Sequence, residues 1–359
     1  RYLQICQRLF YKNNTGGLMT YGRILTPRFF IDTPNWLMSR GIASSEFAVK
    51  TGTDLIDHDS DFVDAELFDM RPNNQVVFST KDTAGTRADH VLIVIDTQGS
   101  SERKHFVAIL NHNMATAQGK FRVSTSASDI TTVNPTVRGC TEVFNADETS
   151  NIFTPDRNGV SIVTLDSEST DRYLAIQIEG SNLGSFDSSN DLKIGCVMAG
   201  EYLDSFGHSP DLSVKRNVSF GTNLQTSIGG SEYSNAQWLE NLGTDSQSGQ
   251  PFRIEGSGTG GTTYYYRMGG KMGYDMNFSF VDDTNILSSD MSSALTGDTF
   301  LGDVWMRTGG SHIPFIFTPD STSTTPGDYL FARFMHDSLD MTQVANNMWN
   351  VGISIRETW

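Results

Sequence analysis

Nowhere does the 359-residue sequence run apolar for about 20 residues, the length a helix needs to span a bilayer, so no transmembrane helix is expected. It does not open on a basic segment followed by an apolar one, so no secretion signal is expected either. Cysteine is scarce. Cys6, Cys140 and Cys196 are odd in number and far apart, which excludes a disulfide framework and C-x-x-C metal spacing and leaves reduced thiols as the expectation. Basic residues are few as well. Twenty-six Lys and Arg face 42 Asp and Glu, a net charge of −16, which argues against a nucleic-acid surface. Long amphipathic helices are nearly absent.

Neutral polar residues and turns fill that space. Asp (30) outnumbers Glu (12), a signature of loops, because Asp bonds its own backbone in turns and is poor inside helices. Aromatics reach 11%, with 22 Phe, enough to build cores in a globular chain of two or three domains. Short runs rich in β-branched and aromatic residues recur between Gly/Asn/Asp/Ser clusters: Val91–Ile95, Phe106–Leu110, Tyr173–Ile178, Lys193–Met198, Tyr264–Met268, Asn277–Val281, Ile313–Phe317 and Asn350–Ile355. This spacing predicts a mainly-β protein of sandwiches or barrels with few helices. One helix is expected over Asp32–Gly41, with an acidic or hydroxyl cap, Pro34 in its first turn and Gly41 as its stop. A second is expected within Ser288–Phe300. Gly/Ser-rich breaks fall at 180–190 and 243–262. The sequence Gly16-Gly17-Leu18-Met19 suggests translation starting at Met19, with residues 1–18 an upstream read-through; a genuine N-terminal arm is the alternative.

A search for chemistry finds little. Gly256-x-Gly258-x-x-Gly261 has dinucleotide-fingerprint spacing, but the strand-like run Thr262–Arg267 follows it where a helix would have to receive the phosphates. The nucleophile elbow, phosphate loop and H-E-x-x-H zinc motif are missing from the sequence. Asp57, Asp59, Asp61 and Asp64 surround His58 as in the start of a calcium loop. Phe62 and Phe68 stand where such a loop needs Gly and Glu, so a solvated acidic turn is expected. No catalytic residue, metal or cofactor is assigned. Asn111, His112 and Asn113 follow an apolar strand; they read as a hydrogen-bonded strand-end corner or, alternatively, as a glycan contact. Tyr264–Tyr266 and Trp238 read as sheet and interface residues, with sugar stacking as the alternative.

Residues 107–114 (Val-Ala-Ile-Leu-Asn-His-Asn-Met), Phe121–Val123, Arg172–Ile178 and Leu192–Tyr202 together resemble the discoidin-like, galactose-binding-like jelly rolls of tailed-bacteriophage structural proteins. Leu174 stands where that pattern carries Trp. Met276–Val281, Asp303–Gly310, Ile313–Asp320 and Trp349–Trp359 are similar to small tail proteins of the distal-tail and tail-tube type. The resemblance implies a tail-tube-like β-sandwich or barrel made of residues 19–59 and 204–359, with a jelly-roll sandwich, residues 60–203, inserted between them. It implies a virion protein of the tail, assembled in the host cytoplasm into a homomeric ring, six-fold by analogy. The ring's partners would be itself and other tail proteins, and in addition a host surface glycan; neither nucleic acid nor membrane insertion is expected. Rival readings are a carbohydrate-binding receptor adhesin, a capsid decoration protein and a glycan-cleaving enzyme. A self-repelling chain needs a contact poor in like charge and rich in aromatics and Arg, which nominates Tyr265, Arg267, Trp305, Arg307 and Arg333 as interface residues.

Overall fold

The computed structural model describes residues 25–81, 90–99, 102–133, 135–181, 185–207, 209–219, 223–235, 255–257, 263–265, 271–287, 299–324 and 328–358. Strand accounts for 48% of it and helix for 13%, so the chain is mainly β, as expected. Residues 1–18 and most of the expected helix at 288–300 lie outside the described residues.

The first half carries β1 (Arg28–Asp32), β2 (Phe47–Val49), β3 (Val76–Phe78), β4 (His90–Asp96), β5 (Lys104–His112), β6 (Gly119–Ser126), β7 (Cys140–Phe144), β8 (Asp147–Thr149), β9 (Ile152–Thr154), β10 (Gly159–Ser169), β11 (Tyr173–Gly180), β12 (Leu192–Ile194) and β13 (Cys196–Asp204). The second half carries β14 (Lys215–Ser219), β15 (Asn223–Thr226), β16 (Glu232–Asn235), β17 (Glu255–Ser257), β18 (Thr263–Tyr265), β19 (Lys271–Asp282), β20 (Phe315–Thr318), β21 (Leu330–Phe334), β22 (Met341–Ala345) and β23 (Met348–Glu357). Helices are short: α1 (Thr33–Ser39), α2 (Met114–Ala117), α3 (Asp283–Ile286) and a π-helical segment, Phe300–Met306.

One eleven-stranded antiparallel sheet runs through both halves in the order β14-β19-β23-β21-β20-β1-β13-β5-β10-β7, with β22 added on β23. A six-stranded sheet, β2-β4-β11-β6-β9-β8, packs over its first-half end. Strand β1 is the splice, pairing β13 on one side and β20 on the other.

Side-chain alternation explains how one sheet serves three cores. On one face, Val107 and Ile109 of β5 and Val197 and Ala199 of β13 enter a first core, closed by Leu174, Ile176 and Ile178 of β11. Further along the same face, Phe29 and Ile31 of β1, Phe315 and Phe317 of β20 and Ile353 and Ile355 of β23 enter a second core. Helical segments cap this second core through Ile286, Phe300 and Val304. The other face of the sheet holds a third core, where Phe30, Phe106, Met198, Ile316 and Phe331 meet. Apolar runs such as Phe106–Leu110 have no polar alternation because they are buried on both faces.

Helix α1 forms where expected. Asp32 caps it, its Oδ2 accepting from the Asn35 N–H at 2.8 Å, and Gly41 stops it at φ +93°. Asp32 also accepts from the Ala199 N–H, tying the cap to β13; burial pushes its carboxyl up to about 7 against these donors. Trp36 and Leu37 of α1 and Phe47 and Val49 of β2 lie in the first core, so the expected boundary at residue 60 falls inside that core. The expected strand over Lys193–Met198 is two strands. Gly195 breaks it, because the Pro72 carbonyl oxygen occupies the place a side chain would take.

Candidate functional site

Two groups of side chains sit where the halves meet. The first is a buried ion cluster. Along β13, Val197, Ala199, Glu201 and Leu203 share a face; the first two enter the first core, Leu203 packs on the second, and Glu201 stands between them. Arg307, just after the π-helical segment, meets it there with a side chain only 1% exposed. Its Nη2 lies 3.2 Å from Glu201 and 3.8 Å from Asp303, its Nη1 lies 3.5 Å from Glu102, and its guanidinium is 4.8 Å from the Trp36 ring. Arg103 pairs with the other Glu201 oxygen at 2.9 Å and reaches Asp303 at 3.5 Å and Glu168 at 3.7 Å. Burial pushes the Glu201 carboxyl up to about 8, with Asp303 adding to the shift while both arginines oppose it; burial raises Asp303 too. Two guanidiniums thus face the buried pair Glu201 and Asp303, with Glu102 and Glu168 as further partners. Glu201, Asp303 and Arg307 are all but closed to solvent, so the cluster has the chemistry of a joint and not of a site open to substrate.

The second group lines a groove of about 470 Å³ on the opposite face of the large sheet. Met70, Arg71, Pro72, Asn73 and Asn74 form one wall, and Phe331, Arg333 and Thr358 the other. The 69–74 loop is held firmly. Met70 adopts φ +56°, a left-handed conformation that a non-glycine residue keeps only when its surroundings impose it, and its side chain is buried in the third core. The Asn111 amide donates to the Pro72 carbonyl at 2.6 Å, and the Asn74 N–H closes a turn on Arg71. Asp69 accepts from the Arg71 N–H at 2.7 Å and the Asn74 amide at 3.5 Å. Arg333 stands directly opposite Arg356 in the β21–β23 register. Arg333 Nε is buried without an acceptor, and among the described residues neither guanidinium has a carboxylate within ion-pair distance. Burial pulls the Arg333 pKa down.

The residues nominated from sequence divide sharply. Asn111, His112 and Asn113 form the hydrogen-bonded corner. Asn113 donates to the Asp191 carbonyl at 2.8 Å, and Asn111 is spent on Pro72. His112 is buried, which pushes its pKa down to about 3 and keeps the ring neutral. Its Nδ1 accepts from the Met114 N–H, so Nε2 carries the proton and donates to Ser161, whose hydroxyl donates to the Asn145 carbonyl. These three side chains make their hydrogen bonds within the chain. Arg307, nominated for a subunit interface, is buried with its ion pairs inside its own chain. Trp305 is half-buried against Phe334, ring centres 4.9 Å apart. Arg333 keeps its charge open on the groove. Tyr265 ends β18, but its side chain, and all of Arg267, lie outside the described residues. Gly256 sits in β17, hairpin partner of β18; Gly258 and Gly261 also lie outside the described residues. Cys140 and Cys196 are free, buried thiols whose pKa burial raises.

In the acidic turn, ligand atoms of Asp57, His58 and Asp64 come within 4.8 Å of one another, while Asp59 instead accepts from Ser79 at 2.6 Å. Sequence reading missed Glu201, Arg103, Asp303 and Arg71. Glu201 carried a usable signal, as a charge on the apolar-facing parity of the run Val197–Leu203. The chain matches no protein-family model, no curated protein and no solved structure.

Proposed function

We propose that this chain is a non-enzymatic structural protein of a virion that assembles with copies of itself, in the tail-ring manner its sequence resembles. The observation carrying the assembly reading is the surface of residues 212–235. Of the ten large apolar side chains exposed on the described residues, five (Leu212, Val218, Leu224, Ile228 and Tyr233) lie on this one stretch. All five residues of β14 are exposed, though β14 pairs with β19 along one edge. In a chain of net charge −16, Glu232 is the single carboxylate from 212 to 235. Exposed apolar surface short of like charge is what a contact between copies of an acidic chain requires. A closed ring needs two different complementary patches, and this stretch supplies one. The resemblance to tail proteins supports the virion setting, and six-fold symmetry rests on that analogy.

Sedimentation velocity of the purified chain tests the assembly, with Leu224→Asp/Ile228→Asp as the variant. A discrete homomer is expected, reduced to monomer in the variant with an unchanged melting midpoint. A wild-type chain that stays monomeric at tens of micromolar rejects the assembly. Imaging of particles tests the setting: rings at a tail are expected, and monomers on a capsid or trimers at a fibre tip reject it.

A further inference from the structure

We propose that the groove between the 69–74 loop and β21–β23 binds a small carboxylate ligand, held by Arg333 with Arg71 and Arg356 reinforcing the field. The inference is independent of the assembly reading.

Three observations carry it. The first is an unpaired charge in an unexpected place. Like charges directly opposite on neighbouring strands repel, yet Arg333 and Arg356 face each other across β21 and β23 with no carboxylate in ion-pair reach among the described residues. This occurs in a chain with 42 acidic and 26 basic side chains, where a neutralising partner is easily supplied. Several half-buried arginines elsewhere do have such a partner: Arg28 pairs with Asp204, Arg172 with Asp96, Arg122 with Glu179. The second is an uncompensated donor: among the described residues Arg333 Nε has no acceptor, so no protein group offsets the charge of this guanidinium. The third is the groove itself. Its volume, about 470 Å³, is in the range of small-molecule sites. Its floor is apolar at Phe331, and Asn73, Asn74 and Thr358 offer neutral polar groups beside the charge.

The guanidinium points to the ligand class. Its planar fork matches a carboxylate with two parallel hydrogen bonds, and such charge-assisted bonds are about twice as strong as neutral ones. Asp69, at the base of the loop, is occupied by the Arg71 N–H and the Asn74 amide and does not line the groove. Arg71, on the same wall as Asn73 and Asn74, faces an entering anion from the loop side. The walls are pre-organised. Asn111 holds Pro72 from behind, the Pro72 carbonyl packs where Gly195 has no side chain, and Arg333 belongs to a strand paired on both sides. An incoming carboxylate therefore finds its donors in place and orders little on binding.

Ligand-observed NMR titration of the full chain tests the site, with D-glucuronate as the carboxylate probe, D-glucose as its neutral counterpart and inorganic phosphate as a competing anion. Saturable glucuronate binding with a Kd of about 1 mM or tighter is expected, weakened by added salt and not reproduced by glucose. Arg333→Gln should weaken it by about 10-fold or more, the loss of at least one charge-assisted bond. Arg71→Gln, on the exposed loop, should weaken it several-fold without touching the fold. Absence of saturation, equal binding of glucose, or a glucuronate affinity unchanged in Arg333→Gln overturns the proposal. Phosphate that binds more tightly than glucuronate overturns the carboxylate assignment.

Discussion

Arg307 lays its guanidinium 4.8 Å from the Trp36 ring while its Nη2 reaches Glu201 at 3.2 Å, so one side chain of the second half grips both a helix and a strand of the first. Trp36 belongs to the first core, whereas Val304, one turn before Arg307, belongs to the second. The contact, with the Arg103–Asp303 pair beside it, therefore rivets the two cores together next to the sheet they share. Removing one member leaves Glu201 and Asp303 buried with half their compensation. Arg307→Met should cost about 3–5 kcal/mol in urea unfolding, the usual cost of orphaning a buried charge. The double variant Arg307→Met/Glu201→Leu should recover part of that loss. A loss below about 1 kcal/mol in the single variant would mean that water enters the cluster freely.

The same cluster gives stability a pH dependence of defined sign. Burial raises Glu201 from the ordinary 4.5 to about 8. Below 4.5 both folded and unfolded chains hold the proton, and Glu201's contribution is fully present. Between 4.5 and about 8 the folded chain holds a proton that the unfolded chain has released. Stability from this group then falls as pH rises, by at most about 1.4 kcal/mol per unit for one proton. Glu201→Gln fixes the neutral form and should flatten that fall. Denaturant midpoints of the two proteins at pH 5, 6.5 and 8 check this. Parallel curves would place the titration elsewhere.

Strand positions and the α1 helix were legible from the sequence, because period, β-branching and the Asp32/Pro34/Gly41 punctuation are local signals. What was not legible is register. Nothing local in Arg28–Asp32 says that it pairs β13 and β20 at once and fuses both halves into one sheet. The ion cluster stayed hidden for the same reason. Glu102, Arg103, Glu201, Asp303 and Arg307 are brought together from three distant segments, and composition could only nominate Arg307 as a surface residue. Arg333 was legible as an Arg among aromatics; its partnerless pairing with Arg356 was not.

Gly195 should be nearly immutable. A methyl group there falls on the Pro72 carbonyl and crowds Asn111 Cβ, and both sides of that contact are backbone or buried strand. Gly195→Ala should destabilise the chain by about 1–3 kcal/mol, the range for overpacking. It should also displace the 69–74 loop. Gly99→Ala has open space around its new methyl and serves as the control. Thermal melting of the two variants decides it: equal midpoints would show that the Pro72 loop yields easily.

The acidic turn should run on a proton and not on a metal. His58 Nδ1 lies 2.8 Å from the Asp59 carbonyl, and Nε2 lies 2.8 Å from Asp64 and 3.7 Å from Asp57. With acceptors on both nitrogens, the ring is best served as an imidazolium that donates from each. Burial opposes the charged form, but the Asp59 carbonyl and the Asp64 and Asp57 carboxylates outweigh it and hold the pKa above the ordinary 6.5. A raised histidine contributes stability that is fully present below 6.5 and is lost as pH rises through its folded value. His58→Gln should therefore lower the melting midpoint at pH 5.5, with the difference shrinking toward pH 8.5. A metal would reverse this trend, because it needs the deprotonated nitrogen and would bind better as pH rises. Chelator should leave the midpoint unchanged at both pH values, and added calcium should not raise it. A chelator-dependent fall restored by calcium, or a His58→Gln effect that grows with pH, would establish the three residues as a cation site instead.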